Sequence, residues 1–271
     1  MSNPPTSPAL PESSPDCRIR ALTGAATGMG RELSAPLSAE ITAALAASPN
    51  GEIAVRAIDV NIPLLEKNDI LAERNRGYFL GRGLAALNLV SSPGAGKTAL
   101  LERTLDEFGR ETKCAVLVGD LETDNDGRRL SRTHAPVAQI TTGTVCHLDA
   151  GMIARAAQSI NLDGVRVLFI ENVGNLVCPA AFDLGEQVRV VLLSTPEGED
   201  KPLKYPPIFK SAHLVLLTKI DVADVLGFKR DVAVENIRRI APQAKIIQLS
   251  ARTGEGLPEW YAFLKSLVHR T

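Results

Sequence analysis

The sequence predicts a doubly wound α/β fold, a mostly parallel sheet with helices on both faces, preceded by an N-terminal helical extension and a disordered tail. Three observations predict it. After Gly83, short runs that are apolar throughout alternate with helical segments, the pattern of parallel strands buried on both sides. The first of these runs passes through a glycine-rich turn straight into a helix. The composition, 45% hydrophobic and 23% charged, is that of a globular chain.

Residues 1–16 contain five Pro and four Ser. Proline halts helices and donates no ladder hydrogen bond, so residues 1–50 are expected to be a low-complexity tail. A short helix over 38–47, capped by Ser38 and ended by Ser48-Pro49-Asn50-Gly51, is expected within it. Residues 51–84 form the helical extension. Leu64, Leu71 and Tyr78 recur at seven beside the column Leu65, Ala72 and Phe79, which predicts one apolar stripe on a helix from Pro63 to Gly81. Residues 85–271 form the main domain. Strands are expected over 84–92, 114–121, 165–172, 187–195, 212–221 and 244–251. Helices are expected over 95–108, 147–160, 221–228, 232–240 and 257–269.

Lys plus Arg number 30 and Asp plus Glu 31, a net charge of −1, which gives no electrostatic basis for nucleic-acid binding. No apolar run approaches the ~20 residues of a membrane span, and no signal-peptide core is present, so a cytoplasmic location is expected. Four cysteines, Cys17, Cys114, Cys146 and Cys178, are too few and scattered for a disulfide framework.

Ser91-Ser92-Pro93-Gly94-Ala95-Gly96-Lys97-Thr98 lies between a strand and a helix, the context of a P-loop. Its glycines let the turn Ser92-Pro93-Gly94-Ala95-Gly96 wrap phosphates at a helix N-terminus, with the backbone N–H groups of every residue but Pro93, which has none, free to turn inward. Lys97 reaches the β/γ-phosphates and Thr98 binds Mg²⁺ in this reading; Ser91 stands where Gly is usual. Thr218-Lys219-Ile220-Asp221 fits the guanine-reading pattern, in which the Asp221 carboxylate accepts from N1–H and the 2-amino group; adenine lacks that donor pair. Thr218 replaces the commoner Asn. Ser250-Ala251-Arg252 matches the loop that supports the base. Between them, Glu171-Asn172-Val173-Gly174 takes the place of a DxxG element, with Glu171 orienting a Mg²⁺-bound water and Gly174 leaving room at the γ-phosphate. Asp120 is a second candidate for Mg²⁺ or for positioning the attacking water. Lys97, Asp120 and Glu171 are thus the candidate catalytic residues, with Thr98, Asp120 and Glu171 around Mg²⁺. Glu122, Asp124 and Asp126 read as a solvated acidic loop. The order of motifs makes the main domain a P-loop GTPase.

Cys146 and His147 are adjacent, and Cys178 follows Glu171 by seven residues. Thiolate and imidazole suit Zn²⁺, Ni²⁺ or Cu⁺. By spacing alone the three are equally readable as core residues; three ligands are few for a closed site, and two chains at a two-fold axis would pool them. Cys114 reads as core, Cys17 has no neighbouring cysteine, and His134 and His213 read as surface or strand-end residues.

Taken together these segments resemble the HypB family, GTPases that assist nickel incorporation into [NiFe]-hydrogenase and in some bacteria support urease. The resemblance spans about 60–271 and rests on AERNR (72–76), GDLETDND (119–126), TGTVCHLDAGMI (142–153), LFIENVGNLVCPA (168–180) and EGEDKPLKYP (197–206). It implies GTP and GDP as ligands with Mg²⁺, a GTP-dependent homodimer, and Ni²⁺ or Zn²⁺ on Cys146, His147 and Cys178. It further implies dimer contacts through Val222 and Leu226, and as partners a second nickel-delivery accessory protein and the hydrogenase large-subunit precursor. The N-terminal Cys-x-x-Cys-Gly-Cys site of many members is missing, so metal transfer is expected from the main domain. UreG places Pro between its Cys and His, and the cobalamin-enzyme chaperones lack the Cys-His-Cys set. The reading from another class is a GTP-binding regulatory module whose zinc is purely structural. No arginine finger is evident, so slow hydrolysis is expected.

Overall fold

The strand that carries the glycine-rich turn lies near the centre of an eight-stranded sheet. The structure is a computed structural model that describes residues 18–22, 64–122 and 125–269. Within the expected tail of residues 1–50, residues 18–22 instead form a strand of the sheet, because they pair with residues 137–141. The rest of that tail, including Cys17 and the helix expected over 38–47, lies outside the described residues, as does Asp124.

In chain order the elements are β1 (Arg18–Leu22), α1 (Leu64–Gly81), β2 (Ala85–Ser91), α2 (Lys97–Glu107), β3 (Cys114–Asp120), α3 (Asn125–Ser131), β4 (Val137–Thr141) and α4 (Ala150–Gln158). They continue with β5 (Val167–Glu171), β6 (Val188–Ser194), α5 (Lys201–Lys204), α6 (Pro206–Lys210), β7 (Leu214–Thr218), α7 (Arg230–Ile240), β8 (Lys245–Gln248) and α8 (Leu257–Val268). The sheet order is β1-β4-β3-β5-β2-β6-β7-β8. β1 runs antiparallel to β4, and the other neighbours are parallel. From β2 the chain turns to one side for β3, β4 and β5, then crosses to the other for β6 to β8. The crevice at such a reversal, beyond the carboxyl ends of the strands, is where doubly wound folds bind ligands.

Every residue of β2 and β6 is buried, because both faces are covered. On one face, Leu100, Leu101 and Leu105 of α2 and Trp260 and Leu264 of α8 pack with Leu87, Leu89, Val116 and Phe169. Trp260 donates its indole N–H to Thr104 Oγ1 at 2.9 Å, and its ring centroid lies 6.4 Å from that of Phe169. On the other face, Phe79 of α1 and Ile153 and Ala156 of α4 pack with Ala86, Leu117, Ile140 and Leu168. Farther along that sheet, Ile208 and Phe209 of α6 and Ile237 of α7 join Val191, Leu193 and Val215.

Three expectations need correction. The buried stripe of α1 is Asn68, Ala72, Asn75 and Phe79, whereas Leu65 and Tyr78 are exposed. The helix docks largely through polar bonds: Asn75 Nδ2 donates to the carbonyls of Ala150 at 2.8 Å and Leu184 at 3.0 Å, and Asn68 Oδ1 accepts from Ala150 N at 2.9 Å. Gly185, at φ +86°, makes room for the helix, since a Cβ there would sit 2.5 Å from the Ala72 carbonyl oxygen. The helix expected over 147–160 begins at Ala150, capped by Asp149, whose side chain accepts from Met152 N; Cys146 and His147 therefore stand on a loop. The helix expected over 221–228 is a single 3₁₀ turn, Ile220–Val222. Lys219 enters it at φ 58° and Gly227 leaves the following turns at φ 64°, both in left-handed conformations that a continuing α-helix does not accept. Elements that the apolar pattern did not announce are β1, β4, α3, α5 and α6.

Candidate functional site

The P-loop closes on itself. Gly94 and Gly96 take φ of 73° and 99°, conformations open to glycine without penalty, and α2 starts at Lys97. The Lys97 ammonium donates to Ser91 Oγ at 2.9 Å, so the serine at the usual glycine position gives the lysine a partner within the turn. Burial pushes the Lys97 ammonium below its ordinary range, opposed by the carboxylates of Glu171, Asp126, Glu197 and Asp120 in that order.

Thr98 Oγ1 donates to Glu171 Oε1 at 2.6 Å. Glu171 ends β5, is 3% exposed, and its Oε2 is buried without a hydrogen-bond partner. Burial pushes its carboxyl up to about 7, against Lys97 and Thr98, which act to lower it. Asp120 ends β3 and accepts from Leu121 N at 2.6 Å; its charge acts on both Lys97 and Glu171. Thr98, Glu171 and Asp120 thus gather hard oxygen donors beside the P-loop lysine, the donor chemistry that fits Mg²⁺. Asp126, expected in a solvated loop, is half-buried in the first turn of α3, and its charge also reaches Lys97 and Glu171. Glu122 is exposed as expected. Gly174 is packed on the P-loop: a Cβ there would lie 2.9 Å from Pro93 Cα. Its role in the fold is this close approach.

A cavity of about 280 Å³ lies beside the loop, lined by Ala95, Gly96, Thr218, Lys219, Asp221 and Val222 together with Leu249, Ser250, Ala251 and Arg252. Thr218 Oγ1 donates to the Ala95 carbonyl at 2.9 Å and Lys219 Nζ to the Gly94 carbonyl at 2.7 Å, so the TKID segment braces the P-loop. The Asp221 carboxylate accepts from Ser250 Oγ at 2.6 Å and Arg252 Nε at 2.8 Å. The Ser250 hydrogen bond first, and Arg252 after it, hold this carboxyl below its ordinary range. It is ionised at neutral pH and shaped to accept two donors. Sequence reasoning missed Arg103, whose Nη1 donates from α2 to the carbonyls of Ala251 and Arg252 at 3.2 and 3.3 Å, and Thr195, whose hydroxyl donates to the Lys219 carbonyl at 2.9 Å. Neither residue lies in a motif; only the fold brings them here.

Cys146, His147 and Cys178 come together from the loops after β4 and β5, with one candidate ligand atom of each within 4.8 Å of the others, the one such group found among the described residues. The Cys146 and Cys178 sulfurs are 3.0 Å apart and both thiols are free. The hydrogen bond to Cys178, then burial, pushes the Cys146 thiol up. Burial lowers His147, against Asp149, keeping its imidazole neutral as a ligand requires. His147 stacks on Phe182 with ring centroids 3.9 Å apart, and its Nδ1 is buried with no hydrogen-bond partner. Two thiols and an orphaned imidazole nitrogen fit a soft or borderline cation. Cys114 is core, its thiol pushed up to about 12 by burial. His134 and His213 are exposed. Val222 is half-buried on the cavity wall, while Leu226 is 51% and Val225 88% exposed.

Residues 85–248 match the family described as CobW/HypB/UreG, nucleotide-binding domain. The hydrogenase maturation factor HypB of Escherichia coli K12 is 50% identical over 211 residues, covering 78% of this chain and 73% of that protein. The crystal structure of HypB from Helicobacter pylori in complex with nickel superposes with a TM-score of 0.72 at 40% identity, covering 75% of this chain and 96% of that one. That of the hydrogenase maturation factor HypB from Archaeoglobus fulgidus gives 0.70 at 39% identity, covering 74% and 98%.

Proposed function

The chain belongs to the HypB family, within the CobW/HypB/UreG nucleotide-binding group, and from that premise we propose that it is a GTP-hydrolysing metallochaperone that hands nickel toward [NiFe]-hydrogenase. The observation that carries this reading is a single segment. Glu171 and Cys178, seven positions apart, join the carboxylate beside the P-loop to a thiol of the soft-ligand cluster, and at full extension the segment spans no more than ~25 Å.

The chain's own groups have definable tasks. Lys97 exchanges Ser91 Oγ for β/γ-phosphate oxygens. Backbone N–H groups of the turn from Ser92 to Gly96 cradle the phosphates at the head of α2. Bound Mg²⁺ would neutralise phosphate charge, held by Thr98 with Glu171 and Asp120 orienting its waters. Asp221 reads the guanine edge, with Thr218 and Lys219 fixing its loop and Ser250, Ala251 and Arg252 closing the base site. With no arginine finger in the chain's motifs, intrinsic turnover is slow. Cys146, His147 and Cys178 hold Ni²⁺, or Zn²⁺ in its place, as cargo. GTP favours a homodimer through the surface of Val222 and Leu226, and hydrolysis times transfer, in the cytoplasm, through a second nickel-delivery accessory protein to the hydrogenase large-subunit precursor. GTP-switched proteins order such loops by γ-phosphate and Mg²⁺ contacts.

Nickel and zinc titrations of the full chain in GDP and in a non-hydrolysable GTP analogue, with mass recorded, test this. Nickel affinity that differs between the two states, and reciprocally a nickel-dependent nucleotide affinity, is the expected result. Equal affinities favour instead a regulatory GTP-binding module whose zinc is structural.

A further inference from the structure

Two asparagines of the Glu171–Cys178 segment have no place in the nucleotide or metal chemistry above, yet both reach across to the other ligand loop. Asn172 follows Glu171 directly and is 2% exposed. Its Oδ1 accepts from Leu148 N, the residue after His147, at 3.4 Å. Its Nδ2 donates to Asn88 Oδ1 at 3.3 Å. Asn175 donates through Nδ2 to the Cys146 carbonyl at 3.2 Å, and its Oδ1 accepts from Val177 N at 2.9 Å. The stretch Cys146–His147–Leu148 is therefore bonded at both ends to the segment that carries Cys178.

The opposite side of His147 is held by the same network. Asn88 donates to Glu186 Oε1 at 3.1 Å. Arg189 joins Glu186 at 2.8 Å and donates from Nη2 to the Phe182 carbonyl at 2.9 Å. The ring of Phe182 stacks on His147. Asn172 thus joins the buried polar groups of Asn88, Glu186 and Arg189 in a circuit that starts beside Glu171 and returns, through the half-buried ring of Phe182, at His147. Buried polar networks of this kind, with every member paired, fix one geometry. Gly174, lying between the two asparagines, packs on Pro93 of the P-loop, so a displacement of the phosphate loop has a rigid element to push.

We infer that Asn172 and Asn175 are positioning residues that lock the Cys146–His147 stretch to the nucleotide-sensing segment, so that the ligand set moves as a unit when Glu171 and Gly174 respond to phosphate. This rests on the reading that GTP occupies the P-loop and a soft metal the cluster. Neither asparagine contributes a ligand atom or touches the nucleotide cavity; removal of either leaves both sites chemically complete and breaks the connection between them.

The test is a competition titration of Ni²⁺ against a chromophoric chelator on the full chain, loaded with GDP or with Mg²⁺ and a non-hydrolysable GTP analogue. It compares the native protein with Asn172→Ala and Asn175→Ala. In the native chain the two nickel affinities are expected to differ at least ~5-fold, the lower range of ordinary coupling. In either variant the ratio falls below ~2, while GDP affinity stays within about twofold of native. A merely structural role would weaken nickel binding equally in both nucleotide states and leave the ratio alone. A native ratio in a variant with native GDP affinity overturns the inference. Should the buried Asn172→Ala fail to fold, Asn175→Ala decides, because it deletes bonds only at a half-buried loop. A ratio of one in the native chain sinks the metallochaperone reading and this inference with it, and is distinguished by appearing before any substitution is made.

Discussion

Two carboxylates at this site have been moved in opposite directions by their surroundings. Glu171 is raised to about 7 by burial, so in the nucleotide-free chain its folded form binds a proton more tightly than the unfolded chain does. The cost of burying it ionised is absent below the ordinary carboxylate range, near pH 4.5, and grows as pH rises toward about 7. Glu171→Gln is therefore expected to match native stability in acid and to exceed it above pH 7 by on the order of 2–3 kcal/mol. Urea unfolding of both proteins across that range measures this. The same substitution removes the charge that would face Mg²⁺, so GTP hydrolysis should fall even as the fold gains. Asp221 is held below its ordinary range by Ser250 and Arg252, and it accepts from both. Asp221→Asn presents an N–H where guanine needs an acceptor. Its GTP affinity should drop by about 10²-fold or more, as for a site built around a polar group that is left unpaired, with a gain for xanthosine triphosphate, whose 2-carbonyl accepts. Competition with a fluorescent GDP analogue reads both.

At the scale of elements, the extension helix α1 shows how a motif hides its purpose. Gly185→Ala is expected to cost at least about 2 kcal/mol, because the position combines left-handed backbone with a carbonyl in the place of the new methyl. Limited proteolysis should show α1 released first. The strands β2, β3, β5, β6 and β7 were legible because burial on both faces keeps each run mostly apolar, even with Asn88 inside β2 and Arg189 inside β6. β4 was not: Gln139 sits in the middle of its five residues, and its side chain is buried, 2% exposed, which no pattern of hydrophobicity announces. The P-loop, TKID and the Cys-His pair were legible for another reason. Their chemistry needs fixed residue types at fixed spacing. Arg103, Thr195, Asn88 and Phe182 were not, since each acts across more than twenty residues of chain and carries no local signal. Asn68 and Asn75 were overlooked in favour of Leu65 and Tyr78 because a periodicity count registers side-chain polarity, whereas the carbonyl of Ala150 and the backbone of Asp183 and Leu184 supply partners that make asparagine welcome in the interface.

Among the described residues of the whole molecule, exposed apolar side chains are unevenly placed. Val225 and Leu226 project from the turns after TKID, beside the cavity whose wall includes Val222. Leu226→Asp is expected to leave unfolding by heat unchanged, since the side chain already faces water, and to hold the chain at monomer mass in the presence of the GTP analogue, as read by light scattering.

Trp260 is the sole tryptophan of the sequence. Its indole is tied to Thr104 on the helix that begins at the P-loop lysine, and it faces Phe169, two residues before Glu171 on β5. The protein therefore carries an intrinsic fluorophore wedged between the helix that opens at Lys97 and the strand that ends in Glu171. Stopped-flow emission on the unlabelled chain should follow nucleotide binding directly, with no reporter dye to perturb it.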